Sequence, residues 1–134
     1  MKTERKSNVL AAFEFLTAVG IILFWIGFFT VGLAPANAPA CYFAYEHSFP
    51  PADLVLAVIL ISAAILLLRG RPAGRSFSLV AAGGLIFLGI IDASFNLQNG
   101  VYALSALDLV LNAFINIWCV GFGAFLVARF VPRP

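Results

Sequence analysis

Four long apolar runs alternate with three connections along the chain. The runs cover approximately residues 9–33, 51–68, 77–97 and 104–131. Each run reaches or approaches the ~20 residues that a helix needs to cross ~30 Å of hydrocarbon. Because backbone groups in lipid must bond within their own segment, these runs predict helices rather than strands. The expected fold class is all-α, an integral membrane four-helix transmembrane bundle.

The connections predict how these helices are joined. They cover residues 34–50, 69–76 and 98–102. The last one contains Asn99-Gly100, a turn signal, so the third and fourth helices should form a tight antiparallel hairpin. The first run is too long for the apolar core of a signal peptide and predicts a retained helix. We therefore expect a single transmembrane domain over residues 1–134, with an outer loop at 34–50.

Charge gives this bundle an orientation. Only 10% of the residues are charged, whereas a soluble domain carries about 25%. The eight basic residues lie at the two termini or in the second connection, and they are Lys2, Arg5, Lys6, Arg69, Arg71, Arg75, Arg129 and Arg133. Those regions share one side of a four-helix topology, so the positive-inside rule predicts a multi-pass cell-membrane protein with both termini cytoplasmic. Anionic lipid headgroups explain this basic side, and no nucleic-acid partner is needed.

A polar stripe interrupts the third and fourth runs. The pairs Asp92-x-x-x-Asn96 and Asp108-x-x-x-Asn112 each place two polar groups on one helix face. Counting depth from the turn places Asp92 level with Asn112. By the same count Asn96 lies level with Asp108, and Asn116 continues the stripe inward. A charged Asp at the bilayer centre costs ~2.5–3.5 kcal/mol, so the stripe should face protein or a cavity rather than lipid.

With Asp53 at the start of the second run, the stripe predicts an outward-facing acidic and amide pocket. Glu46 and His47 in the outer loop would cover it. Because no basic residue is near enough to neutralise it, such a pocket favours a cation, a proton or a ligand amine, or keeps its acids as neutral donors. The ligand-binding candidates are Asp92, Asn96, Asp108, Asn112, Asn116 and Asp53.

Structural roles compete with binding at most of these positions. Asp53 would lie in a first helical turn, where the helix dipole favours an acid. Ser105-x-x-Asp108 matches a capping box. The asparagines of the fourth run fit interhelical hydrogen bonds, worth ~0.6–2 kcal/mol each in membranes. Asp92 has no such explanation, since it lies toward a helix C-terminus inside an apolar run.

Glu14 is the only acid in the predicted inner half of the membrane. It would either pair with a cytoplasmic arginine such as Arg71 or Arg75, or act as a proton-binding carboxylate. Trp25, in the same run, is expected to pack against other helices or to face lipid. Neither residue belongs to the predicted outer pocket.

Motifs for cofactor or metal chemistry are missing from the sequence. It contains no phosphate-binding loop and no histidine or cysteine spacing typical of a metal site, so we expect no cofactor and no metal. Cys41 in the outer loop and Cys119 within the fourth run should not form a disulfide. No catalytic residue can be assigned.

Three functions fit these patterns. The first is a membrane protein that binds a cation, a proton or a small ligand in the outer pocket, with proton-coupled transport by a homodimer as one form of it. The second is an intramembrane enzyme that acts on a lipid or isoprenoid through paired carboxylates. The third is a non-catalytic accessory subunit of a larger membrane complex, in which the polar stripe holds helices together.

Overall fold

The computed structural model describes residues 2–131, with side chains described from residue 8 onward. Within this part the chain forms α-helices, one 3-10 turn and no strand. The elements are α1 (Lys2–Thr30), α2 (Tyr42–Glu46), α3 (Pro50–Leu68), α4 (Ala73–Gln98), the 3-10 turn Val101–Ala103, and α5 (Ala106–Phe130).

Four segments are long and apolar enough to cross a membrane. They are Asn8–Thr30, Tyr42–Leu68, Ala73–Gln98 and Ala106–Phe130. The prediction of an all-α, multi-pass membrane protein is confirmed at this level. The terminal charges behind the predicted orientation, Lys2, Arg5, Lys6 and Arg133, lie outside the described side chains.

The helix boundaries differ from the predicted ones. The first helix ends at Thr30 rather than at residue 33, because Gly32 adopts a left-handed φ of 79° and the Val31 and Gly32 amides both bond to the Gly27 carbonyl. This is a common way for a helix to end. α4 begins at Ala73, four residues before the predicted start at Phe77, because polar residues can extend a membrane helix into the interface.

The outer loop is shorter than predicted, because residues 42–46 form the short helix α2. The Phe49 amide bonds to the Glu46 carbonyl and the Asp53 amide bonds to the Phe49 carbonyl, so α2 runs almost directly into α3. Stacking of Tyr45 on Phe95, with ring centroids 3.7 Å apart, ties α2 to α4. The acids of this segment are thereby brought over the bundle instead of remaining in a free loop.

The predicted tight hairpin between the last two helices is present. The Asn99 amide caps α4 by bonding to the Phe95 carbonyl, and Gly100 follows with a φ of 68°. A non-glycine residue would be strained in this left-handed conformation. The 3-10 turn then leads into α5, which begins after its N-cap, Ser105.

Neighbouring long helices pack in the order α1, α3, α4, α5. At the α4–α5 interface, glycines let the backbones approach closely. A Cβ at Gly89 would lie 2.8 Å from Val120 Cγ2, and one at Gly123 would lie 2.8 Å from the Ala82 carbonyl oxygen. By contrast, α1 and α5 make little backbone contact with each other. The bundle therefore has one open seam, between its first and last long helices.

The two ends of the bundle have different compositions. One end carries α2 and the 3-10 turn, and all three tyrosines, Tyr42, Tyr45 and Tyr102, lie there. We call it the tyrosine end. The opposite end carries the described arginines Arg69, Arg71, Arg75 and Arg129, and we call it the arginine end.

Candidate ligand cavity

A cavity of about 550 Å³ lies along the open seam. Its walls come mainly from α1 and α5, while Asp53 of α3 and Leu88 and Asp92 of α4 form its back. This volume is within the range of small-molecule sites in proteins. We call it the seam cavity. Its lining residues are mostly apolar or aromatic, and the polar ones are Thr17, Trp25, Glu46, Asp53, Asp92, Asn112, Asn116, Trp118 and Cys119.

The polar lining is concentrated toward the tyrosine end. Glu46, Asp53 and Asp92 come from α2, α3 and α4, three elements that meet there. Both Glu46 and Asp53 are only 7% exposed. Among the residues whose side chains the structure describes, no arginine, lysine or histidine lines the cavity. Three carboxyl groups, two of them buried and that of Asp92 half-buried, therefore share one end of the cavity without a described cationic side chain beside them.

Asp53 is held from α1 by a tryptophan. Trp25 Nε1 donates to Asp53 Oδ2 at 2.8 Å, and both side chains are buried. As the sequence predicts, Asp53 also lies in the first turn of α3. The bond to Trp25 was missed, although a buried indole N–H requires an acceptor, which is the signal that could have indicated it.

Asp92 sits where α4 faces α5. Asn96 Nδ2 donates to Asp92 Oδ2 at 2.9 Å, and Asn116 faces the same carboxyl from α5. Asn116 Nδ2 donates to Tyr102 Oη at 2.7 Å. Asn116 lines the cavity, and its Oδ1 has no hydrogen-bond partner among the described residues, although the residue is only 5% exposed. A buried carbonyl oxygen in this state is an open acceptor.

Neither of the two pairs predicted to lie level, Asp92 with Asn112 and Asn96 with Asp108, is joined by a hydrogen bond among the described residues. Asn96 bonds to Asp92 one turn away on its own helix, and Asn112 Nδ2 bonds to the Asp108 backbone carbonyl at 2.8 Å. The i, i+4 spacing lets each polar pair close within one helix, so neither needs the facing one. The polar contact of Asp92 with α5 is made instead by Asn116.

Glu46 belongs to the cavity wall rather than to a cover. It is carried inward by α2, lies beside Asp53 and Asp92, and makes no side-chain hydrogen bond within the described part of the chain. His47, the next residue, is exposed and contacts the rings of Phe28, Phe29 and Phe43 instead. Of the two residues expected to cover the pocket, Glu46 thus forms part of its wall and His47 does not line it.

The end of the cavity nearer the arginine end is closed by aromatic side chains. Trp118 Nε1 donates to Thr17 Oγ1 at 3.0 Å, which joins α5 to α1 across the seam. The Phe13 ring lies 6.0 Å from that of Trp118 and 6.2 Å from that of Phe122. Both tryptophans of the chain thus line the cavity, one near each end.

Two of the predicted binding residues lie outside the cavity lining. Asp108 takes part in the cap of α5: its amide donates to Oγ of the N-cap residue Ser105 at 3.0 Å, and Ser105 Oγ donates to Asp108 Oδ2 at 2.6 Å. The capping interpretation of Ser105-x-x-Asp108 is confirmed. Asn96 is fully buried beneath Asp92 and supports it. The cavity therefore brings together Asp53, Asp92, Asn112 and Asn116 and adds Glu46.

Glu14 lies in the core and does not reach the cavity. It is fully buried, and neither carboxyl oxygen has a hydrogen-bond partner among the described residues. Ser78 of α4 lies beside it, but the Ser78 hydroxyl donates to the Gly74 carbonyl at 2.9 Å. The predicted pairing with Arg71 or Arg75 is not formed, since both arginines are exposed.

Within the described residues, no group of three or more His, Cys, Asp or Glu side chains is arranged to hold a metal ion. Cys41 is exposed, Cys119 is buried, and both are free thiols. The acidic end of the cavity thus offers separate carboxyl and amide oxygens around a space rather than a compact coordination sphere.

These features define a membrane-spanning bundle of four long helices with a small-molecule-sized cavity between the first and the last. The chain belongs to the family described as a domain of unknown function (DUF8058), whose family model matches residues 3–128. No curated protein and no solved structure matches the chain significantly.

Proposed function

We propose that the protein binds a small organic cation, an amine or ammonium group, at the acidic end of the seam cavity. Glu46, Asp53 and Asp92 supply negative charge, and Asn112 and Asn116 supply amide oxygens. The observation that carries the proposal is this set of buried and half-buried oxygens in a cavity that no basic side chain among the described residues lines. Buried acids are favourable only when a cation or hydrogen-bond donors compensate them.

An organic cation suits this end better than a bare metal ion. The carboxyl groups come from three different elements, and the described residues offer no metal-binding group. An ammonium head can reach separated acceptors with several N–H groups or through charge alone. The rings of Trp25, Phe24 and Phe49 line the same end and add cation–π attraction, ~0.5–2 kcal/mol.

The proposal includes a location. The protein would lie in the cell membrane with both termini in the cytoplasm, so that the arginine end faces inward and the acidic end of the cavity faces outward. Transport of the bound cation by a homodimer is one extension of this function. Lipid or isoprenoid chemistry and a role as an accessory subunit remain competing hypotheses.

Thermal unfolding of the purified protein tests the proposal. Wild type, Asp92→Asn and Asp108→Asn are unfolded with and without tetramethylammonium, alkylamines, Na⁺, K⁺, Mg²⁺ and Ca²⁺. We expect an amine or ammonium ion to raise the Tm of wild type. At a ligand concentration of 100 times the Kd, binding should add ~2.7 kcal/mol to the free energy of unfolding. Asp92→Asn should weaken binding ~10- to 100-fold, as expected for loss of a charged hydrogen-bond acceptor.

Asp108→Asn is the matched control, because it changes the charge equally, lies in the same region and keeps an acceptor for Ser105. It should respond like wild type. If Asp92→Asn also responds like wild type, or no cation stabilises any of the proteins, the proposed function is wrong. The accessory-subunit hypothesis then takes precedence and predicts that Asp92→Asn weakens co-purification with partner proteins.

A further inference from the structure

The seam cavity continues well beyond the space that an ammonium head needs. On α1 its lining extends from Trp25 near the acids to Phe13 near the arginine end. At 1.5 Å per helical residue these twelve positions span about 18 Å. On α5 the lining extends from Leu111 to Cys119. The part away from the acids is walled almost entirely by hydrocarbon and aromatic side chains.

This apolar part opens sideways between the helices. Leu16 and Leu23 on α1 are 61% and 59% exposed, and Phe114 on α5 is 64% exposed, although all three line the cavity. They therefore form its rim on the outer surface of the bundle. Because that surface lies within membrane-spanning segments, the rim faces hydrocarbon rather than water.

Gly20 marks the middle of this lateral opening. It is an exposed cavity-lining residue, and a Cβ built on it meets no atom within 4 Å. The absence of a side chain there leaves the seam unobstructed. Thr17 and Trp118 close the seam one turn further along, where their side chains are hydrogen-bonded. The opening is thus bounded by the polar end on one side and by this contact on the other.

We infer that the ligand is a single-chain cationic amphiphile that enters the seam cavity sideways from the bilayer. Its ammonium head lies among Glu46, Asp53 and Asp92, and its apolar chain lies between α1 and α5 toward Trp118. This inference rests on the proposed function and specifies its ligand class. It follows from the joining of an acidic end and an apolar, lipid-facing slot within one cavity.

The two tryptophans provide the measurement, since they are the only ones in the chain and both line the cavity. The protein is placed in nanodiscs of digalactosyldiacylglycerol, which has no cationic headgroup. The probe is 12-bromododecyltrimethylammonium, whose bromine quenches nearby indole fluorescence. Its uncharged match is 12-bromododecanol. Competitors are dodecyltrimethylammonium and tetramethylammonium.

We expect saturable quenching by the ammonium probe and only weak, linear quenching by the alcohol. With the head at the acids, the terminal bromine lies near Trp118, so Trp118→Phe should remove most of the quenching. Dodecyltrimethylammonium should compete at least ~10-fold better than tetramethylammonium, because each buried CH₂ contributes ~0.8 kcal/mol relative to water. In Asp92→Asn, quenching by the ammonium probe should become weak and linear, as it is with the alcohol.

The lateral path is tested by filling it. Gly20→Leu places a side chain in the opening and should weaken dodecyltrimethylammonium binding at least ~10-fold, while tetramethylammonium binding is kept, a difference of about 1.4 kcal/mol. Gly121→Leu is the matched control, because Gly121 is also exposed with nothing within 4 Å of a Cβ but does not line the cavity. It should bind like wild type.

The outcomes separate the two proposals. If tetramethylammonium competes as well as the dodecyl compound and Gly20→Leu has no effect, the head site exists but the amphiphile inference is wrong. If quenching by the ammonium probe is linear and unaffected by any competitor or by Asp92→Asn, the proposed function fails together with it.

Discussion

Trp25 Nε1 and Asp53 Oδ2 are joined by a buried hydrogen bond of 2.8 Å across the interface between α1 and α3. Both residues line the seam cavity and are nearly inaccessible. A carboxyl group buried in an apolar bundle depends on such donors, because it has lost its hydration. The position of α1 and the hydrogen bonding of Asp53 at the acidic end are therefore coupled.

Removing this donor should destabilise the protein. Trp25→Phe keeps an aromatic ring but leaves Asp53 without the indole N–H, so we expect a loss of ~1.5–3 kcal/mol in the free energy of unfolding. Thermal unfolding in detergent measures it. Trp118→Phe is the comparison, since it removes a bond between neutral groups, to Thr17 at 3.0 Å, and should cost only ~0.5–1.5 kcal/mol. Equal losses in both variants would contradict a special role for Trp25.

The close approach of α4 and α5 should make Gly89 intolerant of any side chain. In Gly89→Ala the new Cβ meets Val120 Cγ2 at 2.8 Å, Cys119 Cβ at 3.0 Å and a backbone oxygen at 3.1 Å, so the helices must separate. We expect a destabilisation of ~1–3 kcal/mol, typical of overpacking. It is measured as a lower unfolding temperature in lipid nanodiscs.

Gly83→Ala is the control for this change. Gly83 is also within α4, but a Cβ there meets nothing within 4 Å. Without a clash, the higher helix propensity of alanine should stabilise the protein slightly, by up to ~1 kcal/mol. If both substitutions shift the unfolding temperature in the same direction, the glycine contact is not what holds the two helices close.

The buried carboxyl of Glu14 should be replaceable by an apolar side chain. Neither of its oxygens has a partner among the described residues, so Glu14→Met removes an unsatisfied polar group while keeping the length of the side chain. We expect stability to stay equal or to rise by ~1–3 kcal/mol. Thermal unfolding checks this, with Glu14→Ala as a cavity-forming control that should lose stability.

The same variant tests the hypothesis that Glu14 is a proton site. A proton-binding role predicts that Glu14→Met folds but loses any coupling between pH and ligand binding. A stable variant with wild-type binding at every pH would exclude that role.

The orientation can be tested with the natural cysteines. Cys41 is exposed near the tyrosine end, whereas Cys119 is buried. A membrane-impermeant maleimide should therefore label intact cells at Cys41, and Cys41→Ser should abolish the signal. Adding Ser76→Cys to that background places a thiol at the arginine end, and it should react only after the membrane is permeabilised. Labelling with the opposite pattern would reverse the proposed topology.

Hydropathy was sufficient to predict the four spans, because lipid requires length and apolarity before any tertiary contact is considered. Local patterns were also predictable: the capping box at Ser105 and the turn at Gly100 depend on neighbouring residues alone. The short helix α2 was missed because its residues are few, and its placement depends on stacking of Tyr45 on Phe95, which is distant in sequence.

The candidate site was predictable only in part. The position of Asp92 inside an apolar run identified it as an unusual acid, but the polar spacing also allowed Asn96 and Asn112 to bond within their own helices. The cavity lies where α1 and α5 do not pack closely against each other, and no pattern in the sequence predicts which pair of helices leaves such a gap. Trp25 was interpreted only as a packing or lipid-facing aromatic, and no signal in the sequence singled out Trp118, although their N–H groups form two of the contacts that shape the cavity.

The open seam has a consequence for biogenesis. Its walls come mainly from α1 and α5, and a chain is made and folded from its N-terminus, so α1 is synthesised well before α5. α1, α3 and α4 pack in sequence order, so they can associate before α5 is complete. Until then Thr17 lacks its hydrogen bond from Trp118 and the cavity has no second wall. The cavity is therefore the last part of the bundle to form during insertion.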